Sequence, residues 1–270
     1  MNFKAFYGLS YNPFDKQMLQ VKDTFASEDQ KAMMNRLSYL KDVRGIGVFT
    51  ASSGMGKSHC LRCFKASLNE NLYDMHYICL STVSVGEFYK LLCEELGLET
   101  KGGKTTMFKA LQDRIVYLYK EKKQPLILVI DEAQYLANAI LKDLKMLMNF
   151  SYDSVNCFTL ILSGEPYLNN TLEKPIHEAL RQRITVHYAF RGLQPNEIAA
   201  YIRHKLRLAG GSDTMIGEDA ISAITGYCHG YPRIIDNVMS DALNLGAQLG
   251  HSCIDSEVML AAVNEQILLI

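Results

Sequence analysis

The chain has 270 residues, 48% hydrophobic and 21% charged, with 28 Lys and Arg against 29 Asp and Glu for a formal charge of −1. That balance excludes disorder and collagen-like order, and at about 100 to 200 residues per domain the length suggests one large domain or a core with a smaller appendage. Near-neutrality argues against coating nucleic acid through bulk charge, so any such site must be a local basic patch. The seven cysteines, odd in number and scattered through apolar runs, read as reduced thiols of a cytosol rather than a disulfide framework. No window approaches the roughly 18 apolar residues of a membrane span and the opening residues lack an apolar signal core, so the expected location is cytoplasmic, with no membrane partner.

Residues 1–26 are aromatic and turn-rich, with a turn at Asn12 and Pro13, and lead into a helical pattern over about Ser27 to Val43. The apolar run Ile46 to Thr50, a Gly/Ser loop and a helical pattern from Lys57 follow in the order strand, loop, helix. A second run spans His76 to Leu80, and helical patterns cover 85–97 and 105–121 around a polar loop from Leu98 to Lys104. The run Leu126 to Ile130 ends on Asp131 and Glu132, and a helical segment leads to Cys157 to Leu162, which ends on Ser163 and Gly164. Strands alternating with helices imply an α/β fold with a parallel sheet sandwiched by helices. Strand signals stop after about Val186. Helical segments over Pro195 to Leu208, Glu218 to Cys228, Pro232 to Leu249 and Asp255 to Gln266 then predict a small all-helical domain. The expected division is 1–190 for the sheet domain with its lead-in and 191–270 for the helical one. Pro232 suits a first-turn position and Asp255 an N-cap.

The strongest motif is Ala51, Ser52, Ser53, Gly54, Met55, Gly56, Lys57, Ser58, which fits G-x-x-x-x-G-K-[ST] except for Ala at its first position. Backbone N–H groups bending into a helix N-terminus form an anion nest; Gly54 and Gly56 permit the bend, Lys57 adds charge and Ser58 offers a hydroxyl to Mg2+. The alternative, a chance Gly/Ser turn, does not explain the strand-loop-helix setting. Asp131 and Glu132 stand where a buried strand delivers them to the carboxyl edge of a parallel sheet. Asp131 can hold Mg2+ through water and Glu132 can orient or deprotonate an attacking water, as phosphoryl transfer requires. Ser163 closes another strand and can contact a γ-phosphate or the water, with Glu165 as a rival and a strand-end cap as the bland alternative. Arg181 or Arg183 can reach a neighbouring subunit's nucleotide, or can simply form a basic helix end. Arg233, after Gly230, Tyr231 and Pro232, can reach back to phosphates from the helical domain.

Cys60 and Cys63 have C-x-x-C spacing without a second pair and read as core packing. The densest net-positive stretch is Lys101 to Lys123, where Lys101, Lys104, Thr105 and Thr106 can grip a phosphate backbone without reading bases; a solvated helix face is the alternative.

The phosphate loop, Asp131-Glu132, Ser163, Arg181/Arg183 and Gly-x-Pro-Arg before a helical lid together resemble an AAA+ ATPase. More narrowly, the opening Phe6 to Phe14, Asp131 to Leu136, Leu147 to Phe150 and Leu180 to Ile184 are similar to a bacterial group that spans ATPases like general secretion pathway protein A and short ATPases encoded beside transposases. The resemblance covers nearly the whole chain. It implies an AAA+ P-loop NTPase fold with a helical lid, ATP and Mg2+ as ligands, and nucleotide contacts from Ala51 through His59 and from Arg233. Secretion-type members continue into a membrane segment and a peptidoglycan-binding region, and the length here favours the transposon type, similar to phage Mu B protein and Tn7-type target-selection ATPases.

The expectation is an ATPase that forms rings or helical homo-oligomers, binds double-stranded DNA non-specifically and recruits or activates a DDE transposase. In that reading Lys57 and Ser58 hold nucleotide and metal, Asp131 holds metal, Glu132 activates water, Ser163 senses γ-phosphate, Arg233 acts from the lid and Arg183 or Arg181 acts in trans. Lys101, Lys104, Thr105 and Thr106 fall where the family's pore-facing DNA contacts are expected. The rivals are a secretion or envelope-assembly ATPase working on protein partners, and a replication initiator or helicase loader, for which no helix-turn-helix module follows the lid.

Overall fold

The computed structural model describes residues 2–17, 20–79 and 83–267. In chain order it holds helix α1 (Phe3–Tyr7), α2 (Glu28–Val43), strand β1 (Ile46–Thr50), α3 (Lys57–Ser67), β2 (Asp74–Cys79), α4 (Val85–Glu95), α5 (Lys104–Lys120) and β3 (Leu126–Asp131). Next come α6 (Asn138–Leu147), β4 (Thr159–Gly164), α7 (Tyr167–Glu173), α8 (Glu178–Arg181) and β5 (Ile184–Ala189). Four longer helices complete the order, α9 (Pro195–Leu208), α10 (Glu218–Cys228), α11 (Pro232–Leu249) and α12 (Ser256–Ile267). Leu80, the expected end of the second strand, lies outside the described residues. Two compact units result: Ala32–Ser53 with Lys57–Phe190, and Met1–Lys31 with Gly54–Gly56 and Arg191–Ile270.

The first of these units is built on a five-stranded sheet in the order β2-β3-β4-β1-β5, every adjacent pair parallel. The three inner strands are buried at every residue, which is why β1, β3 and β4 read as unbroken apolar runs rather than as alternation. Their side chains join Phe88 and Leu92 of α4, Leu111 and Ile115 of α5, and Leu141 and Leu144 of α6 in one hydrophobic cluster. Ser84 starts α4 through a reciprocal capping box with Glu87. β5 extends to Ala189, beyond the expected end of strand signals near Val186. As an edge strand it buries only Val186 among its six residues, so Thr185, His187 and Tyr188 diluted the apolar signal.

The helical unit packs α9 to α12 with α1 and the lead-in. Residues 1–31 group with these helices and not with the sheet. Leu9 and Phe14 enter the helical core, the Ser10 N–H donates to the Ala209 carbonyl at 2.9 Å, and the Tyr7 hydroxyl donates to the His251 carbonyl at 2.8 Å. Pro232 opens α11, and the Asp255 carboxylate caps α12 by accepting from the Val258 N–H at 3.0 Å. Buried Lys205 and partly buried Asp236 form an ion pair at 2.7 Å between α9 and α11, with Tyr201 donating to the same carboxylate oxygen at 2.9 Å. Among the described residues no helix is long and apolar enough to cross a membrane.

Candidate nucleotide site

β1 ends in the sheet interior and releases the chain at Ala51, after which the loop runs to the first turn of α3 at Lys57. The bend depends on Gly54 and Gly56, whose φ values of +85° and +97° lie in the region that side chains resist. A Cβ on Gly54 would also stand 2.7 Å from that of Arg233, whose backbone N–H donates to the Gly54 carbonyl at 3.3 Å within the helical unit. Lys57 is buried, and its ammonium donates to the Ala51 carbonyl at 2.6 Å, so the loop's cation closes back on the loop's own first residue. His59 lies further along α3, where its ring contacts Arg62 at 2.8 Å and the Cys63 thiol at 3.5 Å. Cys60 and Cys63 are both buried.

The centre of the site is the Asp131 carboxylate, buried at the carboxyl end of β3. Its Oδ2 accepts from the Ser58 hydroxyl at 2.9 Å and from the Tyr77 hydroxyl at 2.5 Å. Its Oδ1 accepts from the Ser163 hydroxyl at 2.6 Å and from the Glu132 N–H at 3.1 Å. The register explains the convergence. Leu162 stands opposite Ile130, which sets Ser163 level with Asp131 on the neighbouring strand, and Tyr77 lies opposite Val129, on the face that Asp131 shares. Burial and the adjoining Asp131 raise the Tyr77 phenol well above its ordinary range, so it remains a donor at any ordinary pH.

Glu132 follows with φ +54° and ψ +36°, a left-handed conformation uncommon for a side-chain-bearing residue and typical of strained functional positions. The turn takes its side chain out of the strand's alternation. Its carboxylate accepts from the Gln134 amide at 2.7 Å, and the Gln134 carbonyl oxygen accepts from the Glu165 N–H at 3.0 Å. Tyr77 and Gln134 are the two residues that sequence reasoning missed. Tyr77 sits in an edge strand with no motif, whereas Gln134, two places after Glu132, could have been flagged as a polar residue in an otherwise apolar turn.

The candidate trans-acting arginines lie at the other end of the sheet. Arg183 immediately precedes β5, whose first residue pairs with Ile46 at the amino end of β1. It is thus roughly 17 Å of strand, five residues at ~3.3 Å each, from the phosphate loop of its own chain. Arg183 forms an ion pair with Asp153, and Arg181 donates to the Leu172 and Glu173 carbonyls at 3.3 and 2.8 Å. Asp153 ends a run of three left-handed residues, Ser151, Tyr152 and Asp153, at the tip of the Phe150–Val155 bridge, and Tyr152 there is fully exposed. Lys101, in the loop before α5, and Lys104, Thr105 and Thr106, in its first turn, all lie exposed, but Lys104 is engaged by Asp143 at 2.6 Å.

The site fits the metal that the loop motif implies. The Ser58 hydroxyl and the Asp131 carboxylate, 2.9 Å apart, are hard oxygen donors of the kind Mg2+ takes, directly or through its waters.

The profile of the family described as an AAA domain matches residues 40–172, which span the sheet from β1 through β4 with the loop and Asp131-Glu132. A curated relative, general secretion pathway protein A of Aeromonas hydrophila, is 28% identical over 264 residues, covering 96% of this chain and 48% of the relative. The chain thus spans about half the length of that protein. In fold it is similar to the ORC2 protein of Aeropyrum pernix solved with ADPNP and ADP (TM-score 0.67, 17% identity, 95% of this chain and 71% of the other). It is also similar to Drosophila ORC bound to DNA (TM-score 0.69, 13% identity, 99% and 66%) and to a Walker-type ATPase of Pyrococcus abyssi (TM-score 0.65, 17% identity, 95% and 77%). Loop, sheet order and profile agree: residues 40–172 carry an AAA-type P-loop ATPase domain.

Proposed function

We propose that this chain binds ATP with Mg2+, hydrolyses it to ADP and phosphate, and uses the nucleotide cycle to assemble on double-stranded DNA and present it to a DDE transposase. The observation that carries the hydrolytic part is the convergence of Ser58 and Ser163 on Asp131, with the Glu132 carboxylate held one residue further on. The nest formed by Ser52 to Ser58 takes the phosphates, with Lys57 exchanging the Ala51 carbonyl for phosphate oxygens. Ser58 and Asp131 hold Mg2+, which when bound offsets the charge that develops on the phosphate oxygens. Glu132 accepts a proton from the water whose oxygen bonds to the γ-phosphorus; the bond to the bridging oxygen breaks and ADP leaves. Ser163 senses the γ-phosphate side of the site through Asp131, since its hydroxyl is already spent on that carboxylate. Arg233 contributes from the helical unit, and Arg183, with Arg181 as the alternative, serves a neighbouring copy's nucleotide.

For DNA, the exposed Lys101, Lys104, Thr105 and Thr106 supply charge and hydroxyls suited to a phosphate backbone. The DNA-bound fold relative makes duplex DNA the first ligand to test. The identity to general secretion pathway protein A along almost the whole chain favours a second reading, an envelope-assembly ATPase acting on protein partners. One experiment separates them: ATPase rate and particle size with and without duplex DNA at two salt concentrations. ATP-dependent assembly on DNA that weakens with salt supports the first, and turnover indifferent to DNA supports the second. In either case Lys57→Ala loses nucleotide binding and Glu132→Gln keeps binding but loses turnover; an active Glu132→Gln enzyme refutes the role assigned to Glu132.

A further inference from the structure

We infer that Gln134 is a positioning residue that ties the water-activating carboxylate to the end of β4, so that one strand end orients both acidic groups of the site. The inference rests on the reading of Glu132 as the base. A glutamate leaving a strand in a left-handed turn has several rotatable bonds and only partial burial to restrain it. Gln134 supplies the restraint. Its side chain is buried, its amide nitrogen donates to Glu132 Oε2 at 2.7 Å and its amide oxygen accepts from the Glu165 N–H at 3.0 Å. The short turn that carries it is itself fixed, because the Tyr135 N–H donates to the Glu132 carbonyl and the Leu136 N–H to the Ala133 carbonyl, each at 3.1 Å.

β4 is shaped to admit this side chain. A Cβ on Gly164 would stand 2.6 Å from Gln134 Oε1 and 3.4 Å from its backbone nitrogen, so the approach exists only because residue 164 has no side chain. Two successive links leave this strand end: Ser163 to Asp131, and Glu165 through Gln134 to Glu132. A shift of the β4 end alters both carboxylates together, which couples metal holding to water activation.

The test compares wild type, Gln134→Leu, Glu132→Gln and the double variant by ATP affinity, single-turnover hydrolysis and melting temperature. Gln134→Leu is expected to lower the hydrolysis rate about 10- to 100-fold, the usual range for a partner that orients a reacting group, with ATP affinity within about twofold of wild type. In the Glu132→Gln background, whose residual hydrolysis is read in long single-turnover reactions, the same change adds no further loss, because Gln134 acts only through Glu132. Gly164→Ala, which keeps every hydrogen-bonding group but displaces the amide, is expected to slow hydrolysis in the same direction, and not in the Gln134→Leu background. A Gln134→Leu enzyme that turns over at the wild-type rate while Glu132→Gln is inactive overturns the inference and leaves the role of Glu132 standing. Multiplied losses in the double variant also overturn it. Turnover retained in Glu132→Gln overturns the underlying reading instead.

Discussion

Replacing Lys205 by Met tests whether the helical unit is locked by the ion pair of this buried lysine. The Lys205 side chain is 3% exposed and that of Asp236 19%, at 2.7 Å, with Tyr201 donating to the same carboxylate oxygen. Removing one partner of a buried pair costs about 3 to 5 kcal/mol because it strands the other charge. Residual exposure of Asp236 and the surviving Tyr201 bond place the loss near the lower end, about 3 kcal/mol, or a fall in Tm of roughly 6 to 12 °C at ~2 to 4 °C per kcal/mol. The loss has a defined pH dependence. Burial raises the Asp236 pKa while Lys205 and then Tyr201 oppose the rise. Without Lys205 the folded-state value moves further above the unfolded one, and the folded state then binds the more protons in that interval. Stability of the variant therefore falls as pH rises from the unfolded carboxyl's pKa through the folded one, and the deficit narrows at low pH, where the carboxyl is neutral in both states. Thermal melts of wild type, Lys205→Met and Lys205→Met/Asp236→Leu from acid to mildly alkaline pH read all of this. The double variant should regain most of the loss, since it buries no unpaired charge. A single variant within about 1 kcal/mol of wild type at neutral pH, smaller than any loss expected for a stranded buried charge, refutes the reasoning, as does a double variant no more stable than the single.

Tyr77→Phe removes one of the donors to Asp131 Oδ2 while keeping the ring, and should raise the Mg2+ concentration for half-maximal ATPase by about tenfold; an unchanged Mg2+ titration would separate Tyr77 from metal holding. Arg183→Ala and Lys57→Ala proteins should each be inactive alone yet regain turnover when mixed, because one supplies an intact loop and the other an intact arginine; no recovery on mixing, with assembly intact, counts against action in trans. Lys101→Ala and Lys104→Ala should weaken DNA-dependent assembly and lower the salt slope of DNA binding by about 1 per lysine. An unaltered slope moves the DNA contact elsewhere.

Much of the fold is written in local pattern. Ile46 to Thr50, Leu126 to Ile130 and the run ending at Ser163 are strands buried on both faces, so unbroken apolar sequence announced them. The phosphate loop was legible for the same reason: its chemistry needs adjacent residues, with glycines where φ is positive and Lys57 and Ser58 at the helix start. The edge strand β5 was read short because one of its faces is wet and its residues alternate. The lead-in was assigned by chain order to the sheet domain, whereas Leu9 and Phe14 bury themselves among helices that come almost two hundred residues later.

The sequence alone determined the phosphate loop, the acidic strand end and the helical character of the C-terminal region, because each depends on neighbours a few residues apart. Tertiary structure decided how those parts meet. Only parallel registration of β2, β3 and β4 sets Tyr77, Asp131 and Ser163 side by side, and only the bare Cα of Gly164 lets Gln134 bridge Glu132 to β4. Those contacts join residues separated by some 30 to 70 positions, and strand pairing specifies them through a hydrophobic pattern spread over the whole sheet.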